Sequence, residues 1–531
     1  MAGRAEFLLL AAGMWFVAAA ASGEEPVFVT SDRCIACHSN MLDGAGNTVH
    51  IGYTWRASMM ALSAKDPYWM AGVRREIADR PQRQAEIEDT CSVCHMPMFR
   101  TFAVANGGRG EILRYLDGGF DAAERNIAED GVSCTVCHQI SAENFGEHGS
   151  FSGGYVITPS TPETGHAFGP YDISSGLQRV MHSAASLRPG TGAHVQQSEL
   201  CATCHTLFTP AVDGSGNVIG EFPEQVPYLE WQHSNYATSH NCQSCHMPEI
   251  QGTSQISSVL GEQREHVSQH VFRGGNAFML TLLHKYRDEL GVQTPAHELQ
   301  AAAAATLQHL QSDSASIDIV AVARVGADAS VQLQVENRSG HKLPTAYPSR
   351  RAWLHLRVSD AATGTVVFES GALQADGSIA GNDNDADAGR YEPHYAVIDD
   401  AQQVQIYEPI VVDFSNAVTT SLLSAAGYAK DNRLLPGGFD KTSASSAIAV
   451  HGDAIDDADF VAGGDRITYR FRVDPQVLSL RVSARLMYQP IGFRWANNLR
   501  DYDTLETNRF VRYFADNADI SAVVLAEASS D

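Results

Sequence analysis

The sequence predicts an α+β chain of more than one domain: a mostly helical and irregular N-terminal segment, a short helical connector, and a C-terminal antiparallel β-sandwich-like domain. Three observations carry this. All ten cysteines lie between residues 34 and 245, and none beyond. Two stretches with helical grammar follow them, and from about residue 316 apolar and polar residues alternate as in strands. A length of 531 residues also leads one to expect two domains or more. The boundaries read as 1–23, 24–275, 276–315 and 316–531.

Residues 1–23 read as a cleavable secretory signal. Arg4 precedes an apolar run from Phe7 to Ala21, and small residues lead into the acidic pair Glu24 and Glu25. The run is shorter than the ~20 apolar residues a membrane span needs. No cysteine stands at the cleavage region to take a lipid, and no second apolar run reaches spanning length. The mature chain is expected in the periplasm or outside the cell, without a transmembrane span.

Segment 24–275 is defined by its cysteines. They fall in five Cys-x-x-Cys-His pentads: Cys34, Cys37 and His38; Cys91, Cys94 and His95; Cys134, Cys137 and His138; Cys201, Cys204 and His205; Cys242, Cys245 and His246. Two thiols three residues apart can reach the two vinyl groups of one haem, and the adjacent imidazole becomes the proximal iron ligand. A zinc ribbon needs paired Cys-x-x-Cys motifs and no histidine straight afterwards. A disulfide framework would likewise leave the five histidines unexplained. The pentads therefore predict five covalently bound c-type haems, and a multihaem cytochrome c domain. Gly and Pro breaks and weak periodicity fit a segment whose core is supplied by porphyrin faces. Within it a template repeats: Trp55, Ser58 and Ala61 precede Cys94-His95-Met96-Pro97, as Trp231, Ser234 and Ala237 precede Cys245-His246-Met247-Pro248. This suggests a duplicated haem module.

The connector, 276–315, holds helical stretches near Ala277–Leu290 and His297–Ser312, the second with the run Ala301–Ala305. Alanine is the best helix former, so it reads as a strut between domains. In 316–531, runs such as Val331-Gln-Leu-Gln-Val and Ile467-Thr-Tyr-Arg-Phe-Arg-Val are separated by Gly, Asp and Asn loops, as in a β-sandwich.

The pentads, with Asp130-Gly-Val-Ser-Cys134, His270-Val-Phe-Arg-Gly-Gly-Asn276, Asn337-Arg-Ser-Gly-His341-Lys-Leu-Pro-Thr345 and Tyr391-Glu-Pro-His394-Tyr395, resemble bacterial multihaem cytochromes c related to the nitrification tetrahaem cytochrome and, more remotely, to hydroxylamine oxidoreductase. The resemblance implies a pentahaem electron carrier with a β-rich tail. In that family a histidine follows the tryptophan-serine element as a distal ligand; here Met60 and Tyr236 stand at those places.

Five of the 21 histidines serve the pentads, so sixteen remain, enough to cap every iron twice by histidine. The first distal candidates are His182, His270 and His341, with His50, His194, His266 and His394 behind them. Met60 is a further one, since a thioether ligand raises the potential relative to bis-histidine. Asp383, Asp385 and Asp387 alternate somewhat like a calcium loop, but the glycine is displaced and no closing Glu follows.

The balance of 37 basic against 62 acidic residues, a net charge of −25, argues against nucleic acid and anionic membranes. The expected partners are other redox proteins or quinol-linked donors. The function expected is electron transfer through the haems. Two alternatives stay open: a reductase or oxidase acting on a small nitrogen or sulfur compound at one open-coordination haem, and a self-assembling subunit of an extracellular or outer-membrane conduit. All five pentad histidines are ordinary, which favours the carrier.

Overall fold

A computed structural model describes residues 28–157, 165–213, 215 and 217–530. The expected signal segment lies outside the described residues. The chain folds as mixed helix and sheet, with the helices mostly before residue 315 and an antiparallel-rich sheet region after it.

Each pentad sits in a helical turn: Ser31–Ile35 begins the first, and Gln84–His95, Cys134–Cys137, Ser198–His205 and Cys242–His246 carry the others. Residues three apart share a helix face, so each turn presents both thiols to one side. The longest helix nearby, Pro67–Asp79, starts where Asp66 accepts hydrogen bonds from the backbone N–H groups of Tyr68 and Trp69 at 2.8 and 3.2 Å. Pro67 in its first turn loses no needed donor.

The C-terminal half is a two-sheet sandwich. Its strands are β1 (Ala315–Val325), β2 (Asp328–Asn337), β3 (Arg351–Asp360), β4 (Val366–Ser370), β5 (Val397–Ile398), β6 (Ile406–Tyr407), β7 (Gly464–Arg472), β8 (Leu480–Gln489) and β9 (Val523–Ser530). One sheet runs β5-β7-β2-β1, with β5 parallel to β7; the other runs β4-β3-β8-β9, with β6 also on β3. Gly326, at φ +64°, makes the two-residue turn that pairs Val325 with Asp328. Alternation along β2 and β7 buries Val331, Leu333, Val335, Ile467 and Tyr469 against Leu354, Leu356, Val358, Val482 and Leu486 of the facing sheet. The strand grammar anticipated most of this, but not β9 or the hairpin Pro409–Asp413/Ala425–Asp431.

The helical connector differs from a free strut. Its helices are Ala277–Lys285 and Ala296–Asp313, and the first buries Phe278, Met279, Leu282 and Leu283. Their partners are Phe510, Tyr513 and Phe514 of the helix Leu505–Ala515, which returns from the far end of the chain. That helix also packs on Pro67–Asp79, where Glu506 pairs with Arg74 at 2.8 Å. The two halves are further joined by a buried ionic cluster. Arg433 pairs with Glu230 and Asp431, each at 2.8 Å, and Lys342 pairs with Asp431 at 2.7 Å. Among the described residues no helix is long and apolar enough to cross a membrane.

Candidate cofactor cavity

All ten cysteines and all five pentad histidines line one continuous cavity, partly open to solvent, of about 1140 Å³. A single small-molecule site usually occupies roughly 300–1,000 Å³. Thiols of neighbouring motifs meet across it: Cys34 with Cys134, Cys94 with Cys204, and Cys201 with Cys242 share hydrogen bonds. None is in a disulfide. Burial pushes the Cys91 and Cys137 thiols up to about 12, so they stay protonated at neutral pH. Among the described residues no three thiols lie close enough together to share one metal ion.

The local structure explains why the motifs approach so closely. Ser31 donates from its backbone N–H and its hydroxyl to Asp130, joining the first motif to the third. Gly153, at φ +80°, lies so close to the Cys91 motif that a Cβ there would stand 2.0 Å from Val93 Cγ1. Its N–H donates to the Thr203 carbonyl of the fourth motif at 2.7 Å. The two halves of the sequence repeat use one device. Trp55 and Trp231 each donate their indole N–H to a backbone carbonyl, of Val132 at 3.1 Å and of His240 at 2.8 Å.

Imidazole hydrogen bonds show which ring nitrogens keep a free lone pair. A carbonyl only accepts, so a ring nitrogen bonded to one carries the proton and the other nitrogen keeps its lone pair. Nδ1 donates to Ile256 O from His38 at 2.5 Å, to Ser63 O from His95 at 3.1 Å, and to Phe168 O from His138 at 2.5 Å. His246 donates likewise to Arg273 O. In these four the Nε2 lone pair is left for a metal, while His205 makes no such bond among the described residues. Burial holds the rings neutral, with His95 and His246 lowered to about 4.

Two metal–nitrogen bonds of about 2 Å across one iron put imidazole centres roughly 6 Å apart. His138 and His270 stand 6.2 Å apart with planes at 18°, and His246 and His341 stand 6.2 Å apart at 15°. In both partners Nδ1 is again tied to a carbonyl, of Ser268 at 3.2 Å and of Lys342 at 2.9 Å. A third ring, His309, also lies 6.2 Å from His246, at 67°. Among the described residues His38, His95 and His205 have no such imidazole pair. His95 instead stacks on Trp69 at 4.4 Å and 4°.

The other candidates fall differently. His50 accepts at Nδ1 from the Asn40 N–H at 3.2 Å, and His194 gives Nε2 to the Ile140 carbonyl at 2.9 Å, which leaves its lone pair on Nδ1. His394 is not at the cavity but buried in the β-rich half. There the Gln405 and Asn432 amides, oriented by the backbone N–H groups of Tyr395 and Glu408, both donate to its Nδ1. The proton must sit on Nε2, which donates to Asp457 at 3.2 Å. His266 is an exposed cavity-rim residue paired with Glu249 at 2.9 Å. On the helix Ser175–Ala185 the face lining the cavity carries Leu177, Val180, Met181 and Ala184, not His182. Met60 and Tyr236 do line it, and the Tyr236 hydroxyl donates to the Arg338 carbonyl at 2.8 Å. The calcium reading is corrected: Asp385 holds Arg351 by two bonds of 2.8 and 2.9 Å, and Asp383 pairs with Arg390. Sequence reasoning singled out neither Met181 nor His309, both of which line the cavity. An i,i+4 pair of His309 with Asp313 was the only local signal for the latter.

The wall fits haem chemically. Besides paired thiols and Nε2 lone pairs, two buried donors that line it, Trp69 Nε1 and Arg273 Nε, have no hydrogen-bond partner among the described residues. A cofactor bearing carboxylates would complete them.

No family model and no curated protein matches the chain. Among solved structures it is similar to a penta-heme cytochrome c552 from Thermochromatium tepidum, at 15% identity and a TM-score of 0.51, over 95% of this chain and 100% of that one. The fold is thus that of a multihaem cytochrome c. The likeness does not bear on the relation to hydroxylamine oxidoreductase.

Proposed function

We propose that the chain is an exported pentahaem c-type cytochrome that transfers electrons between periplasmic or extracellular redox partners. The observation that carries this is the single cavity lined by every pentad. Bound haem supplies a one-electron iron couple; the protein's part is to hold five such groups at short range and to set their ligands. The thiol contacts string the first site to the third and join the second and fifth to the fourth. His270 and His341 cap the third and fifth sites, and the Arg273 guanidinium takes a haem carboxylate.

A second reading, reduction of a small compound at an open site, draws on the Cys91 motif. Tyr68, Arg75, Tyr347 and Glu224 line the cavity there, and burial raises Glu224 to about 7, so it can donate a proton. Low-temperature electron paramagnetic resonance of the oxidised protein separates the readings. The carrier predicts low-spin signals only. A high-spin fraction of about one iron in five, lost on binding a small ligand, moves the assignment to an enzyme.

A further inference from the structure

We infer that the five attachment motifs form a line of four, first to third to fourth to fifth, with the second an internal spur on the fourth, and that redox partners meet the chain at the first and fifth. This rests on the haem reading above. Thiols and pentad imidazoles give the same neighbours. Cys34 meets Cys134, Cys94 meets Cys204, and Cys201 meets Cys242. Burial lowers His38, His95 and His246, and a neighbouring pentad imidazole adds to it in the same pairs: His138 on the first, His205 on the other two. The third motif joins the fourth through Val136, which packs with Leu200 beside Cys201. Cys204 also acts on Cys137 there, after burial.

Hydrogen bonds hold these joins. The Thr135 hydroxyl donates to the Val29 carbonyl at 3.0 Å, which ties the third motif to the chain just before the first. The Cys242 N–H donates to the Ser198 hydroxyl at 3.1 Å and the Gln243 amide to the Gln197 carbonyl at 2.8 Å, which ties the fifth to the fourth. Met98, past the second pentad, packs on the third motif, yet the thiol contact of the second pentad is with Cys204. The residues between paired cysteines show which motifs reach the surface. Ser92 and Val93, Thr135 and Val136, and Ala202 and Thr203 are all buried. Ala36 of the first motif and Ser244 of the fifth are exposed, and of the ten cysteines only Cys245 is exposed. Each attachment sulfur marks an edge of its haem, and electron exchange falls off steeply with edge separation. A partner therefore finds its shortest path at the first or fifth motif, and traffic between them bypasses the second.

Counting neighbours by redox titration of the holoprotein tests this, with haem counted chemically in every sample. Removing the second attachment by C91A/C94A is expected to shift the midpoint potential of one other haem. Removing the fourth by C201A/C204A is expected to shift three. H95M and H205M, which keep each haem but move its own potential, serve in the same way if the deletions do not fold. A soluble gadolinium chelate is expected to speed the relaxation of two paramagnetic resonance signals of the oxidised protein, neither of them the one changed by the second-site variant. Two or more shifted neighbours in that variant, any number but three in the fourth-site variant, or any relaxed set other than two signals outside the second site overturns the inference. A wild-type haem count below five would instead overturn the cofactor reading on which it rests.

Discussion

The two halves of this chain build their interiors in opposite ways. In the β-rich half, side chains of two sheets meet each other: Leu333 and Ile467 are fully buried against Leu354 and Leu486. In the N-terminal half, thiols, imidazoles and orphaned donors face a cavity. A close-packed core stabilises by itself, whereas a cavity wall loses contacts until something fills it. The comparison teaches that the β-rich half closes on its own side chains, whereas the N-terminal half, beside a smaller buried cluster around Met70, Ile87 and Phe99, lines a cavity that a cofactor would complete.

The largest expected effect follows directly. Chain produced without haem attachment should be cut first by limited proteolysis in the segment that carries the pentads, leaving a protected fragment that begins near residue 277, where the connector helix packs on Leu505–Ala515. Uniform resistance along the chain would break the comparison. Next comes the junction. Arg433→Met leaves buried Glu230 and Asp431 undercompensated and should cost about 3–5 kcal/mol in guanidinium unfolding. A loss below about 1 kcal/mol would mean that solvent or rearrangement already screens the cluster. Within the sandwich, Leu333→Ala should cost about 2–5 kcal/mol with haem spectra unchanged.

The smallest effect is one of pH. Glu224 is buried, accepts from the Thr209 hydroxyl at 2.6 Å, and has its carboxyl raised from 4.5 to about 7. A raised folded value gives stability that is present below about 4.5 and lost as pH rises through about 7. Wild-type melting temperature should therefore fall across that window. Glu224→Gln, neutral throughout, should flatten the slope, and an unchanged slope would assign the titration elsewhere.

What could be read from the sequence divides along the same line. Haem attachment is local chemistry, so Cys34 to His246 announce it by spacing alone. Strand alternation is local too, and it placed β2, β3 and β7. Sixth ligands are not local. His270 and His341 stand out because distant chain brings each ring 6.2 Å from a pentad imidazole, His138 and His246, whereas His394 lies away from the cavity among amides held by distant backbone N–H groups. No spacing encodes that. Helical period alone cannot choose between Met181 and His182 until the position of the cavity is known. The connector read as a strut on the Ala301–Ala305 run of its second helix, while the apolar face that Phe510 and Phe514 cover lies on its first, Ala277–Lys285.

The most direct test of the central claim is intact-mass measurement of the secreted protein together with a pyridine haemochrome assay. The account predicts five covalently bound haems per chain, with all ten cysteines consumed and the first residues removed. Fewer haems, free thiols at any of the five pentads, or zinc in their place would contradict it.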